Sequence, residues 1–376
     1  MLAPLTLNAR VFNAINTCRT MNSQLAHMER DLDAQTLESL WMPVIELIDG
    51  AKRVVISTHE NSDGDGLGSE VALVAALKQL GKDVHLVNPT VIPKNYQFLP
   101  FMNTVAVFDE QNESHIQRLH DADLFILLDT NNIGRTRAIK NHVLELRDAG
   151  TLKIVCIDHH LDPQDFADVM VCISASAATG ELAYELVREM ERYFEKPLLN
   201  KTVATGLYTA VMTDTASFKL PKTSPRIHRL TAELLEAGVA PMEIYDSVYN
   251  TLTPGALKLI GLAIGNIQIL EENAIAYLSV TQAMLQETGV GLSDTERLLE
   301  YLMGMSKTMI AMMFIELPDG KTKISFRSRA DYAVNEIAKR YGGGGHRNAA
   351  GCTAPMPLNE TISRVVKEAS ELFRPA

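Results

Sequence analysis

The chain has 376 residues and a formal net charge of −11. That length accommodates two or three domains of roughly 100–200 residues each, and the negative charge argues against a protein that coats long nucleic acid through a broad basic surface. The four cysteines (Cys18, Cys156, Cys172 and Cys352) are scattered, with no Cys-x-x-Cys pair. This fits a reducing cytoplasm, the expected location, and excludes a cysteine-based zinc module.

Residues 1–35 read as an extension. Residues 1–28 contain no acid but hold Arg10 and Arg19, faintly like an organellar transit peptide; a loosely ordered extension is the plainer reading. A periodic helix follows over 36–48. Between Arg53 and Val211 strand and helix patterns alternate, with strands expected at 53–58, 83–87, 104–108, 124–128, 153–157 and 169–173 and helices at 67–80, 135–149, 178–193 and 200–212. Such alternation predicts an α/β domain, a doubly wound parallel sheet covered on both faces, over 36–222. The proline-containing stretch Lys219–Pro225 reads as its exit, and 223–270 as a helical connector. A smaller α/β domain occupies 271–376. It has a strand at 274–280, a hairpin (308–317 and 321–327) about Pro318-Asp319-Gly320, and helices near 332–340 and 360–372. No apolar stretch is long enough to span a membrane.

Three apolar runs end abruptly in acids and histidines: Arg53–Thr58 in His59, Asp63 and Asp65; Leu124–Leu128 in Asp129; Lys153–Ile157 in Asp158-His159-His160. A helical run over Val211–Thr213 leads into Asp214. Ligands in open α/β sheets bind beyond the carboxyl ends of the strands, so these side chains should meet at one sheet edge. A single Asp after a strand is usually a turn or helix cap; four such elements together point to a metal site. Carboxylate and imidazole without sulfur favour Mn²⁺, with Mg²⁺, Fe²⁺ or Co²⁺ as alternatives. Two divalent ions would equip such a site for phosphoryl displacement by water. Gly64 and Gly66 allow a sharp turn, and the helix expected from Leu67 would turn its positive end toward this loop.

The run Gly342–Gly345 with His346 exposes backbone N–H groups in a nest-like arrangement suited to a phosphate, or is simply a flexible turn. Arg327 has the fork geometry for a phosphate. Arg135, just past Asp129, is a substrate contact or a solvent-facing helix residue.

With Asp158-His159-His160, Ser325-Phe326-Arg327-Ser328 and the glycine run through Arg347-Asn348-Ala349-Ala350-Gly351, the chain resembles the DHH phosphoesterase superfamily in its branch with a C-terminal DHHA1 domain. It is most similar there to the short stand-alone enzymes that act as nano-RNases and as phosphatases of 3′-phosphoadenosine 5′-phosphate. The resemblance implies His59, Asp63 and Asp129 on one ion and Asp65, Asp129, His159 and Asp214 on a second. It implies Asp158 orienting His159, and His160 beside the scissile phosphate. Arg327, Ser328, Gly343, Gly344, Gly345 and His346, with Arg135, would bind substrate, and the active site would lie in a cleft between the two domains. The family often has Pro and Ala where Ser62 and Gly66 stand; neither change removes a ligand.

The implied substrates are short single-stranded oligonucleotides or a nucleotide bisphosphate, with no long duplex DNA and no membrane; a homodimer is one state the sequence allows. The competing readings are a phosphodiesterase for cyclic dinucleotides or their linear products, and a nucleic-acid-binding regulator without catalysis. A longer-chain exonuclease would need an added basic, aromatic-rich domain, which the sequence lacks.

Overall fold

The computed structural model describes residues 34–270, 274–295 and 297–373. Most of the expected extension, 1–33, lies outside the described residues. The chain divides into two compact units, one ending at Asn250 and the other beginning at Thr251.

The first unit contains strands β1 (Arg53–Ser57), β2 (Asp83–Asn88), β3 (Ala106–Val107), β4 (Leu124–Leu128), β5 (Lys153–Asp158) and β6 (Val169–Cys172). Its helices are α1 (Ala34–Gly50), α2 (Gly64–Gln79), α3 (Glu113–His120), α4 (Ile139–Asp148), α5 (Thr179–Tyr193), α6 (Lys201–Asp214), α7 (Pro225–Glu236) and α8 (Pro241–Tyr249). The strands form one parallel sheet in the order β3-β2-β1-β4-β5-β6. Val54, Ile56, Ile126 and Ile157 pack into a core shared with α1, α2, α5 and α6, while Val55, Phe125 and Ile154 join α3 and α4 on the opposite face. This is the doubly wound arrangement expected. The strand order reverses between β1 and β4, the place where such sheets bind ligands.

Helix α3 was not anticipated. It is short and buries only Leu119 fully, so its hydrophobic period is faint. Helices α7 and α8, expected in a connector, instead bury Ile227, Leu230, Leu234, Ile244 and Val248 in the first core.

The second unit contains α9 (Pro254–Ile264), β7 (Gln268–Leu270), β8 (Ile275–Val280), α10 (Gln282–Thr288), α11 (Leu298–Gly304), β9 (Ile310–Glu316), β10 (Thr322–Ser328), α12 (Val334–Arg340), β11 (Gly344–His346), β12 (Ala349–Ala354) and α13 (Leu358–Glu371). The sheet order is β11-β12-β10-β9-β8-β7, antiparallel except between β8 and β9. Ile310, Met312 and Phe314 face α12 and α13, whereas Ala311, Met313 and Ile315 face α9 and α11. The hairpin at Pro318-Asp319-Gly320 forms as expected: Leu317 donates to the Lys321 carbonyl at 2.8 Å, and Gly320 has φ +78°.

Glycines let α2 and α6 approach backbone to backbone. A Cβ on Gly206 of α6 would lie 2.4 Å from the Gly68 carbonyl of α2 and 2.8 Å from the Ala72 nitrogen. Both neighbours are backbone, so neither yields readily. We expect Gly206→Ala to lower stability by about 1–3 kcal/mol, the usual penalty of overpacking, read from the urea midpoint. Gly50→Ala, where no atom of the described residues outside its own helix backbone and chain neighbours lies within 4 Å of the added methyl, should stay within about 0.5 kcal/mol of wild type. Equal effects at the two positions would contradict the packing argument.

Candidate metal centre

All six expected ligands converge. Their donor atoms fall within 4.8 Å of one another in the groups His59–Asp63–Asp129 and Asp65–His159–Asp214, and a third group joins Asp129 and His159 to His160. Asp129 follows β4 and adopts φ +60°, a left-handed conformation that Asp tolerates better than most residues. Its N–H donates to the Ile157 carbonyl at 3.0 Å. This turn aims its two oxygens differently: Oδ2 lies 3.3 Å from His59 Nε2 and Oδ1 lies 3.7 Å from His159 Nε2. Asp63 caps α2 by accepting the Asp65 N–H at 3.1 Å and stands 4.0 Å from His59 Nε2.

Helix α2 starts at Gly64, three residues before the expected position, so Asp65 lies within the helix. Its charge is met by the N-terminus of α5, where Thr179 and Gly180 donate N–H bonds of 2.7 and 2.8 Å to its two oxygens. Asp214 ends α6, after which Ala216, Ser217 and Phe218 take φ of 49°, 59° and 64°. Three consecutive left-handed residues carry local strain. Thr215 stabilises this turn by accepting the Phe218 N–H at 3.0 Å.

The chemistry is clearest at His159. Its Nδ1 lies 3.3 Å from the Ser176 carbonyl, which can only accept, so that nitrogen carries the proton. Among the described residues, the Nε2 lone pair is buried without a hydrogen-bond partner. It faces carboxylate oxygens of Asp214, Asp65 and Asp129 at 3.4, 3.5 and 3.7 Å. Burial lowers the His159 pKa and so favours the neutral ring. Burial is also the largest cause of the raised pKa values of Asp65 and Asp129, with neighbouring carboxylates adding to it. A lone pair and several carboxylates crowded at one buried point are relieved by a proton or by a cation between them. The donor set of oxygen and imidazole nitrogen fits a hard or borderline divalent ion.

Two expected roles are redrawn. Asp158 does not orient His159. Its Oδ1 lies 2.7 Å from His160 Nδ1, and its Oδ2 accepts the His160 N–H at 3.1 Å. This bond is the main reason the His160 pKa is raised. The cause is local geometry: Asp158 ends β5 and its side chain curls over the next turn. Arg135 lies against a candidate ligand, with a guanidinium nitrogen 2.8 Å from His59 Nδ1. The Glu60 carbonyl is also 2.8 Å from that nitrogen. The two contacts require different tautomers, and only the Nδ1–H form bonded to Glu60 leaves Nε2 free to bind a metal.

In the second unit the register sorts the expected substrate-binding residues. Arg327 and His346 both lie opposite Ala349. They therefore share one sheet face, about 10 Å apart across two strand spacings. Ser328 does not join them. It is buried, donates to the Tyr332 carbonyl at 2.6 Å and accepts from Asn348 at 2.9 Å. Strand alternation puts Ser325, not Ser328, beside Arg327. The glycine run is also not an open nest throughout. Gly344–His346 form strand β11, and a Cβ on Gly343 or Gly345 would meet the Gly351 or Ala349 carbonyl at 2.1 or 2.4 Å. Gly344 has open space.

Thr179 escaped the sequence reading. Its hydroxyl donates to Asp129 Oδ1 at 3.0 Å, yet nothing in Ala178-Thr179-Gly180 distinguishes it from an ordinary helix start.

If the buried carboxylates are held in mutual repulsion, Asp129→Asn should make the metal-free protein at least as stable as wild type. It should also abolish stabilisation by Mn²⁺, which for wild type at about 100 times Kd is roughly 2.7 kcal/mol. Thermal unfolding with EDTA and with Mn²⁺ measures both. Wild-type stabilisation of the variant by Mn²⁺ would contradict the ligand assignment.

Comparison with known proteins agrees with this geometry. Residues 53–211 match the DHH family, N-terminal domain, and residues 274–374 match the DHHA1 domain. The bifunctional oligoribonuclease and PAP phosphatase NrnA of Thermus thermophilus is 28% identical over 333 residues, 87% of this chain and 92% of that protein. The Bacillus subtilis protein of the same name is 24% identical over 300 residues, 80% of this chain and 88% of that protein. The crystal structure of an exopolyphosphatase-related protein from Bacteroides fragilis superimposes with a TM-score of 0.81 at 26% identity, covering 91% of this chain and 98% of that one. With both domain models matched in order and the ligand positions assembled at the β1–β4 edge, the chain belongs to the DHH family, in the form that carries a DHHA1 domain.

Proposed function

We propose that the chain is a metal-dependent phosphoesterase that hydrolyses short single-stranded oligoribonucleotides to mononucleotides and removes a phosphate from 3′-phosphoadenosine 5′-phosphate. The observation that carries the metal-dependent part is the partnerless Nε2 of His159 facing three carboxylates. The names of the Thermus and Bacillus relatives support the substrate class.

In this reading His59, Asp63 and Asp129 hold one ion and Asp65, Asp129, His159 and Asp214 a second, with Mn²⁺ the favoured metal. Bound ions would supply an activated water and neutralise charge on the phosphoryl oxygens. The Asp158 carboxylate on Nδ1 favours the His160 imidazolium, and the half-exposed ring would give the proton of its other nitrogen, Nε2–H, to the leaving oxygen and be left neutral. Arg327 and His346 grip a phosphate or terminal nucleotide, with Ala349 and Gly351 leaving a low shelf beside them. Arg135 reaches substrate in the His59 tautomer bonded to Glu60. A cyclic-dinucleotide phosphodiesterase would share the centre, but the relatives matched over nearly their whole length, the Thermus and Bacillus proteins at 92% and 88% of theirs, are named for the oligoribonuclease and phosphatase activities. An inert binding protein has no reason to retain six competent ligands.

A substrate panel with added Mn²⁺ tests the proposal: dinucleotides, five-mers, long single strands, cyclic dinucleotides and 3′-phosphoadenosine 5′-phosphate. Turnover should be fastest on dinucleotides and five-mers, with phosphate released from the bisphosphate. Faster turnover of a cyclic dinucleotide than of any linear short substrate would overturn the substrate assignment. Asp129→Ala should remove nearly all activity.

Arg327→Ala and His346→Ala should leave metal content unchanged and raise KM for short oligonucleotides. A charge-assisted hydrogen bond is worth roughly 1.5–3 kcal/mol, or about 10–150-fold in kcat/KM. Hydrolysis of an activated aryl phosphodiester, which gives these residues little to hold, should fall much less. A uniform fall on both substrates would show that they serve chemistry or folding instead.

A further inference from the structure

Three of the candidate ligands are oriented by one short segment at the start of α5. The Ser176 carbonyl lies 3.3 Å from His159 Nδ1, the Thr179 and Gly180 N–H groups hold both oxygens of Asp65, and the Thr179 hydroxyl, fully buried, donates to Asp129 Oδ1. The segment is itself fixed from behind. Glu181 Oε2 accepts the Ala177 N–H at 2.8 Å, and its other oxygen accepts from Arg226 Nε at 2.9 Å. Arg226, from α7, also reaches Glu185, whose second oxygen accepts the Trp41 indole N–H at 3.2 Å. Glu181 and Glu185 are each only 3% exposed. Buried ion pairs of this kind add little stability over apolar residues of the same size, so positional control is the more consistent reason for this one.

We propose that Thr179 and Glu181 are positioning residues that set the metal affinity of the centre. Thr179 fixes the carboxylate of Asp129, which is shared by two ligand groups. Glu181 fixes the segment that selects the His159 tautomer and holds Asp65. Neither is among the expected ligands. Groups that orient metal ligands from behind typically alter affinity by about 10–100-fold when removed. The inference rests on the metal-centre reading above.

The test is calorimetric titration of the full-length, metal-stripped chain with Mn²⁺, alongside urea unfolding of the same metal-free proteins. Thr179→Val keeps the shape and removes the hydroxyl; its Mn²⁺ affinity should fall by about 10–100-fold. Thr179→Ser restores the donor and should bind within a few-fold of wild type, with all three metal-free unfolding midpoints similar. Glu181→Ala should weaken Mn²⁺ binding by the same order, while Arg226 keeps Glu185 as partner. Should Glu181→Ala not fold, the Thr179 pair decides alone, because it changes only a hydroxyl and a methyl. Wild-type affinity in Thr179→Val, or equal losses in Thr179→Val and Thr179→Ser, would overturn the inference. If wild type itself binds no Mn²⁺, the metal-centre reading fails instead.

Discussion

Carboxylates that share a buried pocket repel one another, and much of the first unit is arranged to hold them there. Asp65 and Asp129 are almost wholly inaccessible, with Asp158 and Asp214 close by. The protein supplies backbone donors to Asp65, a hydroxyl to Asp129 and an imidazole to Asp158. None of these neutralises the cluster. The remaining charge is what a divalent cation would balance, and the orphaned nitrogen of His159 sits where such an ion would be held.

Backbone geometry bears the consequences. Asp129 is left-handed, and three left-handed residues follow Asp214. Strain of this kind persists where the surrounding structure over-determines it, and it clusters at functional sites. The over-determination here comes from α2 and α6, whose backbones touch through Gly68 and Gly206. Gly64 lies equally close to Thr213, since a Cβ there would meet its side chain at 2.5 Å. That contact brings the start of one helix, with Asp63 and Asp65, to the end of the other, with Asp214. Helix α7 extends the same logic, because its Arg226 holds the glutamate that fixes the start of α5.

The second unit presents the opposite chemistry. Its exposed sheet face carries Lys323, Ser325 and Arg327 on β10 beside small residues on β12. Here glycine serves approach between strands: Gly343 and Gly345 let β11 come against β12, which brings His346 into the row of Arg327. A run that reads as a flexible loop is thus ordered by pairing to a distant strand.

The sequence by itself determined the parallel sheet, because continuous apolar runs such as Val54–Ile56 and Leu124–Leu128 are buried on both faces and admit little else. It also placed the six candidate ligands, with Asp158 and His160, at or just beyond the ends of strands and helices, while the choice of these six came from the family resemblance. Tertiary structure alone decided which partner each side chain takes. Asp158 turns to His160, Arg135 lies on His59, and Ser328 points into the core while Ser325 takes the open face. Thr179, Glu181 and Arg226 had no signal, since their roles depend on bonds to residues far along the chain. The physical reason is one of range: periodicity and turn chemistry are local, whereas hydrogen-bond partners and sheet register are set by which distant segments the packing brings together.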